Sequence, residues 1–209
     1  MKITKIVHSC LLVEMPNRTV LFDPGFMSEP LLDVDSLSYL DDIFITHEHG
    51  DHFSLPLVKK LVERFPKVRI TAPPSVVAQL NDAAVRGSSE APADVELFTS
   101  PHESVEPLFT TPEEQGYHYL GLLTHPGDSH SFSETKSILA LPITAPWGTV
   151  MNAVKLALAL KPQYVIPIHD WHWRDEARLG VYDSVADILA KEGIHFVKAV
   201  NGEPFTLDA

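Results

Sequence analysis

Thr46-His47-Glu48-His49-Gly50-Asp51-His52 places three histidines and an aspartate within six positions, His47 to His52. Imidazole nitrogen and carboxylate oxygen both suit divalent zinc, manganese or iron, and alternating residues of an extended loop can aim at two neighbouring ions. H-x-H-x-D-H is far more specific than a lone pair of histidines, so a solvated loop with accidental histidines is the weaker reading. The chain carries 11 histidines in all, and histidine is both the commonest metal ligand and the usual acid or base near neutral pH.

The loop has to be held by something rigid. Residues 43–46 (Ile-Phe-Ile-Thr) read as a buried strand directly before it, and residues 57–65 read as a helix after it, with Leu57, Val58, Leu61, Val62 and Phe65 on one face. Upstream, residues 3–7, 10–15 and 19–22 are short β-like runs with turn chemistry at Pro16-Asn17-Arg18. Downstream, strands are expected at 68–71, 95–98, 117–123, 138–141, 164–168 and 195–200, and helices at 75–84, 150–160 and 184–192, with 100–116 mostly loop. Strands and helices alternate without a linker-like stretch, low-complexity tract or short-period repeat, so one domain over residues 1–209 is the expectation.

With 28 acidic against 16 basic residues, the formal net charge is −12, which repels a polyphosphate backbone. Nucleic acid is therefore not an expected partner; a small-molecule substrate is. No apolar run approaches the roughly 20 residues a membrane span needs, and Met1-Lys2-Ile3-Thr4-Lys5 lacks the apolar stretch of a secretory signal. A cytoplasmic protein without membrane association is expected, and the sequence leaves its oligomeric state open, a homo-oligomer included. The single cysteine, Cys10, lies in an apolar run and reads as a small buried hydrophobe without a catalytic role.

The sequence resembles the metallo-β-lactamase superfamily, through five motifs in order. Asp23 in Leu21-Phe22-Asp23-Pro24-Gly25 resembles the aspartate that supports the metal site without touching the metals. His47, His49, Asp51 and His52 match the hallmark motif. His102 falls where the third-motif histidine is expected, Asp128 in His125-Pro126-Gly127-Asp128 matches the bridging aspartate, and His169 matches the last ligand. The resemblance implies His47, His49 and His102 on one metal, Asp51, His52 and His169 on the other, and Asp128 between them. It also implies an α/β architecture of four layers, αββα, with two mixed β-sheets face to face, helices outside and metals at one edge. Within the superfamily, Ile6-Val7-His8-Ser9 and Ala145-Pro146-Trp147 resemble the metal-dependent hydrolase branch that includes ascorbate-6-phosphate lactonase-like proteins.

Such a binuclear site activates water: two metals about 3.5–4 Å apart lower the pKa of a bound water towards neutrality and polarise the substrate. That removes the need for a serine or cysteine nucleophile, consistent with a chain that has no G-x-S-x-G elbow. Two zinc ions are favoured by the histidine-rich set, with manganese or iron compatible. Asp51 and Asp128 are the expected catalytic groups, able to orient the water or receive its proton. His8, His125 and His130 are candidates for supporting or proton-transfer roles. Trp147, Trp171 and His172 are candidates for the substrate wall, as is Arg174 for a substrate anion; core packing is the alternative for the indoles and surface pairing for Arg174. The leading expectation is hydrolysis of a small-molecule ester, lactone or related bond. Against it stand a phosphodiesterase or nuclease of the same fold, disfavoured by the acidic charge, and a non-catalytic metal-binding regulatory domain, disfavoured by the intact Asp51 and Asp128. β-Lactam hydrolysis ranks lower still.

Overall fold

The structure is a computed structural model that describes residues 1–208. Its contacts divide the chain into two compact units, each built on one six-stranded mixed sheet.

The first unit comprises Met1–Pro92, Pro112–Gln115 and Val200–Asp208. Strands β1 (Lys2–Val7), β2 (Cys10–Met15) and β3 (Arg18–Phe22) form an antiparallel meander, and β4 (Asp42–Phe44) and β5 (Arg69–Thr71) continue it in parallel with β3. β12 (Pro204–Thr206) pairs antiparallel with β1 at the far edge. Because β1, β3, β4 and β5 run the same way, the residues that follow β1, β3 and β4 emerge at one end of the sheet. Those residues include His8, Asp23 and His47. Helix α1 (Leu55–Arg64) starts at Ser54, whose hydroxyl accepts from Leu57 N, with Pro56 in the first turn. It buries Leu57, Val58 and Leu61, which join Leu12, Leu21, Ile43 and Ile45 in the core along with Val76 and Leu80 of α2 (Pro74–Asp82).

One buried charge clamps the parallel strands. Asp42 on β4 is fully buried and accepts from Arg18 Nε on β3 at 2.8 Å and from Arg69 Nη2 on β5 at 2.9 Å. A carboxylate taken out of water is tolerable only when so paired, and here the pairing spans three neighbouring strands.

The second unit comprises Ala93–Thr111 and Gly116–Ala199. β6 (Val95–Phe98), β7 (Gly116–Tyr119) and β8 (Leu123–His125) are antiparallel neighbours; β9 (Ile138–Pro142), β10 (Tyr164–Ile168) and β11 (His195–Phe196) extend the sheet in parallel with β8. β6, β8 and β10 thus share a direction, and the chain leaving their carboxyl ends carries His102, Asp128 and His169. This is where open α/β sheets place their sites. Helices α3 (Val150–Leu160), capped by Thr149, and α4 (Asp175–Ala190) bury Ala153, Ala157, Tyr182, Val185 and Leu189 against Leu139, Leu141, Val165 and Phe196.

Several boundaries differ from expectation. The run 117–123 is two strands, because Leu120 and Gly121 adopt left-handed conformations (φ 53° and 64°) and turn the chain. α4 begins nine residues before the expected 184, and β11 is shorter than 195–200. Pro204–Thr206 was not expected as a strand; it is a sheet edge, where proline costs no ladder bond. Among the described residues, no helix is long and apolar enough to cross a membrane.

Candidate metal centre

In the first unit, the hallmark loop is fixed from below by Asp23. Its carboxylate accepts from Thr46 N and Thr46 Oγ1, each at 2.8 Å, and from His52 Nδ1 at 2.7 Å, all of them buried. Asp23 has φ 44°, a left-handed conformation uncommon outside glycine, and its own N–H is held by Phe44 O at 2.9 Å. Gly25 completes the support: a Cβ there would lie 1.8 Å from Asp51 O, so only glycine lets the two loops touch. Phe26 N donates to Gly50 O at 2.8 Å across the same contact.

So held, His47, His49 and His52 cluster, with ring centroids 4.8 Å apart for His47–His49 and 4.1 Å for His47–His52. His8, Asp51 and His52 each bring a potential ligand atom within 4.8 Å of the others. His8 Nε2 donates to Asp51 Oδ2 at 3.1 Å, placing His8 beside the loop, where a supporting role was expected. His47 has a partner that the sequence did not reveal: Glu114 Oε2 lies 3.0 Å from His47 Nδ1, and both side chains are fully buried.

In the second unit, Asp128 is 2% exposed and central. Its Oδ2 stands 3.6 Å from His102 Nε2 and 3.0 Å from His169 Nε2. His102 Nδ1 donates to Glu103 O at 2.5 Å and His169 Nδ1 to Thr144 O at 2.9 Å. A carbonyl only accepts, so Nδ1 carries the proton in both rings, and the neutral imidazole then turns its Nε2 lone pair towards the carboxylate. Two lone pairs at 3.0 Å repel unless positive charge lies between them, as a second ring proton or a shared cation.

The spacing suits a cation: two ligands about 2.0–2.1 Å from one tetrahedral ion stand about 3.3 Å apart. Donor types, burial and spacing therefore fit divalent metal. The same logic runs through the first unit, where Asp23 occupies His52 Nδ1 and Glu114 occupies His47 Nδ1. In four candidate ligands a carboxylate or backbone carbonyl engages Nδ1, which fixes the tautomer and makes Nε2 the nitrogen that would face a cation.

These observations coincide with what the chain is similar to. Residues 2–169 match the family model of the β-lactamase superfamily domain. The chain belongs to the metallo-β-lactamase superfamily. The Mycobacterium tuberculosis protein Rv0786c is 33% identical over 193 residues, 87% of this chain and 89% of the relative. Among solved structures, the metallo hydrolase Igni18 of Ignicoccus hospitalis superposes with a TM-score of 0.75 at 19% identity, covering 99% of each chain. The isothiocyanate hydrolase from Delia radicum gut bacteria gives 0.66 at 16% identity, covering all of both chains. These two likenesses are of fold.

Other positions of this superfamily member divide clearly. Trp147 is half-buried, its ring 5.6 Å from His169, 6.3 Å from His102 and 5.2 Å from His130. His130 is locked by Nε2–H donation to Pro142 O at 2.8 Å, and burial pushes its pKa down from the ordinary 6.5. His125 is buried, and its Nδ1 accepts from Gly127 N at 3.4 Å, just before Asp128. Trp171 is 52% exposed and meets the exposed His172 edge-on, whereas Trp173 packs on the α3–α4 core. Arg174 is exposed at the start of α4. Cys10 is buried and its thiol is pushed up to about 12 by desolvation, which makes it unreactive.

Besides Glu114, sequence reasoning missed Glu103, whose carboxylate accepts from His130 N and Ser131 Oγ and whose N–H donates to Asp128 O. It also missed Tyr182 of α4, whose hydroxyl donates to the buried Asp170 that follows His169. Single glutamates and tyrosines carry no pattern, so nothing in the sequence marked them.

Proposed function

We propose that this chain is a metal-dependent hydrolase that cleaves a small-molecule ester, lactone or related bond. The observation that carries the reading is Asp128 Oδ2, flanked by the Nε2 atoms of His102 and His169 while both Nδ1 atoms are committed to carbonyls. By the family resemblance, His47, His49, Asp51 and His52 of the first unit and His102, Asp128 and His169 of the second would be the residues that hold divalent cations; zinc would suit the histidine-rich set best. Cations bound there supply an activated water at neutral pH and polarise the scissile bond. Asp51 and Asp128 are the carboxylates that would orient such a water and accept its proton. Asp23, Glu114 and the carbonyls of Glu103 and Thr144 fix the rings, so that little reorganisation is needed when charge develops. Trp147 supplies an apolar wall beside His102 and His169.

Two proteins that share the fold, a metallo hydrolase and an isothiocyanate hydrolase, support the reaction class. The experiment is a screen of zinc-replete protein against lactones, carboxylic esters, isothiocyanates and phosphodiesters. Turnover of at least one carbonyl-type substrate is expected, falling more than 100-fold in a folded Asp128→Ala variant. Inactivity on the whole panel, or full activity of Asp128→Ala, overturns the proposal.

A further inference from the structure

Glu114 lies on the segment Pro112–Gln115, between β6 and β7 in sequence and far from any motif. Its carboxylate is fully buried, a costly placement for a charge unless something specific compensates it. The partner is the Nδ1–H of His47, at 3.0 Å. The hydroxyl of Thr46 is 3.1 Å from the same Nδ1, but its single proton goes to Asp23 Oδ2 at 2.8 Å, so towards His47 it offers only lone pairs. Asp23, Thr46, His47 and Glu114 thus form one buried polar chain, with a carboxylate at each end.

Fastening the segment to the loop does not need the carboxylate. Gln115 N already donates to Thr46 O at 3.1 Å, a backbone bond that any residue at position 114 would leave in place. What the carboxylate adds is orientation and electron density at one imidazole. With Nδ1–H committed to Glu114, His47 presents Nε2 as its lone-pair atom, and an anionic acceptor makes that nitrogen a stronger donor to a cation. Asp23 does the same for His52 and was legible from its motif; Glu114 does it for His47 from an irregular loop.

We infer that Glu114 is a positioning residue for the metal centre: it fixes the tautomer and orientation of His47 and raises its affinity for a divalent cation. The inference rests on the metal-dependent reading above, with His47 as a ligand.

The test measures cation affinity directly. Zinc-free wild type, Glu114→Ala, Glu114→Gln and Glu114→Asp are titrated with Zn2+ against a chromophoric chelator, and the visible absorption of the Co2+ forms is recorded. Thermal melts of the cation-free proteins run alongside. Glu114→Ala should weaken one of the bound ions by about 10–100-fold and change the Co2+ spectrum. Glu114→Gln, whose amide oxygen still accepts from Nδ1–H but carries no charge, should bind Zn2+ with an affinity between those of wild type and Glu114→Ala, because it keeps the tautomer and loses the electron density; a purely structural role predicts no such grading of affinity in folded variants. Should Glu114→Ala not fold, Glu114→Asp carries the test: shorter by one methylene, it should lose about tenfold. Wild-type affinity in the folded Ala or Asp variant, with only the cation-free melting temperature lowered, overturns the inference while leaving the hydrolase reading intact. Wild type that takes up no cation overturns the hydrolase reading and this inference with it.

Discussion

Replacing Asp23 by asparagine separates folding from metal binding in a way the geometry makes quantitative. Asp23 Oδ1 accepts from Thr46 N, a bond an asparagine oxygen can keep, and asparagine tolerates the left-handed φ of 44° better than most residues. The amide nitrogen then replaces Oδ2, which accepts from Thr46 Oγ1 at 2.8 Å and His52 Nδ1 at 2.7 Å. Thr46 can rotate its hydroxyl and accept instead. His52 cannot reverse at Nδ1 without moving its proton to Nε2, which removes the lone pair a cation would use. One lost charge-assisted bond, partly recovered, costs about 1–2 kcal/mol of stability, while the wrong tautomer costs about 10–100-fold in metal affinity, or about 1.4–2.7 kcal/mol. Asp23→Ala differs: three buried donors lose their acceptor, and alanine in a left-handed conformation adds strain, for about 3–6 kcal/mol in total. That is a large fraction of the stability of an ordinary domain. Urea unfolding of the zinc-free variants gives the stability term and chelator competition the affinity term. If Asp23→Asn binds zinc as tightly as wild type, the tautomer argument for His52 fails; if Asp23→Ala unfolds at the wild-type midpoint, so does the support argument.

Three further outcomes follow from the same geometry. Gly25→Ala puts a Cβ 1.8 Å from Asp51 O, so the loops must part; zinc affinity should fall at least tenfold, read by the same competition, and wild-type affinity would mean the contact does not position Asp51. Asp42→Ala removes the carboxylate shared by Arg18 and Arg69 but leaves two guanidinia able to reach water, so a loss of about 2 kcal/mol in urea unfolding is expected, with unchanged zinc affinity. His118, stacked on Phe98 at 4.2 Å and bonded to Thr124, has its pKa lowered from 6.5 first by burial and then by Lys136, against the opposing charges of Glu96 and Glu134. The unfolded chain therefore binds this proton more readily than the native one, and the stability His118 lends is present above about pH 6.5 and lost as pH falls through the lower native value. The urea midpoint of zinc-free wild type should fall more steeply than that of His118→Phe between pH 7 and 5, and parallel profiles would refute the assignment.

What the sequence made legible was whatever repeats a chemical pattern. The density of His47, His49, Asp51 and His52 announces a metal loop on its own, and strong periodicity placed α1 and α3 within a residue or two of their observed starts. Asp23, His102, Asp128 and His169 needed the order of family motifs, since an isolated histidine after a strand says little. α4 began earlier than read because its first two turns expose Leu179 and several charged residues, which hides the helical stripe. The hairpin between β7 and β8 was missed because Leu120, an apolar residue, takes a left-handed turn conformation that its type does not advertise. The supports were hidden for a different reason. Glu114, Glu103 and Tyr182 act through single long-range hydrogen bonds, and a partner remote in sequence leaves no local trace.

The most direct measurement is the number of divalent cations that the purified, metal-stripped chain takes up on titration with zinc, compared with Asp128→Ala. Under the proposed function two equivalents are expected for the wild type and a loss of at least one in the variant, because the Asp128 carboxylate would serve both ions. Fewer than two equivalents in the wild type, or two in the variant at undiminished affinity, would contradict it.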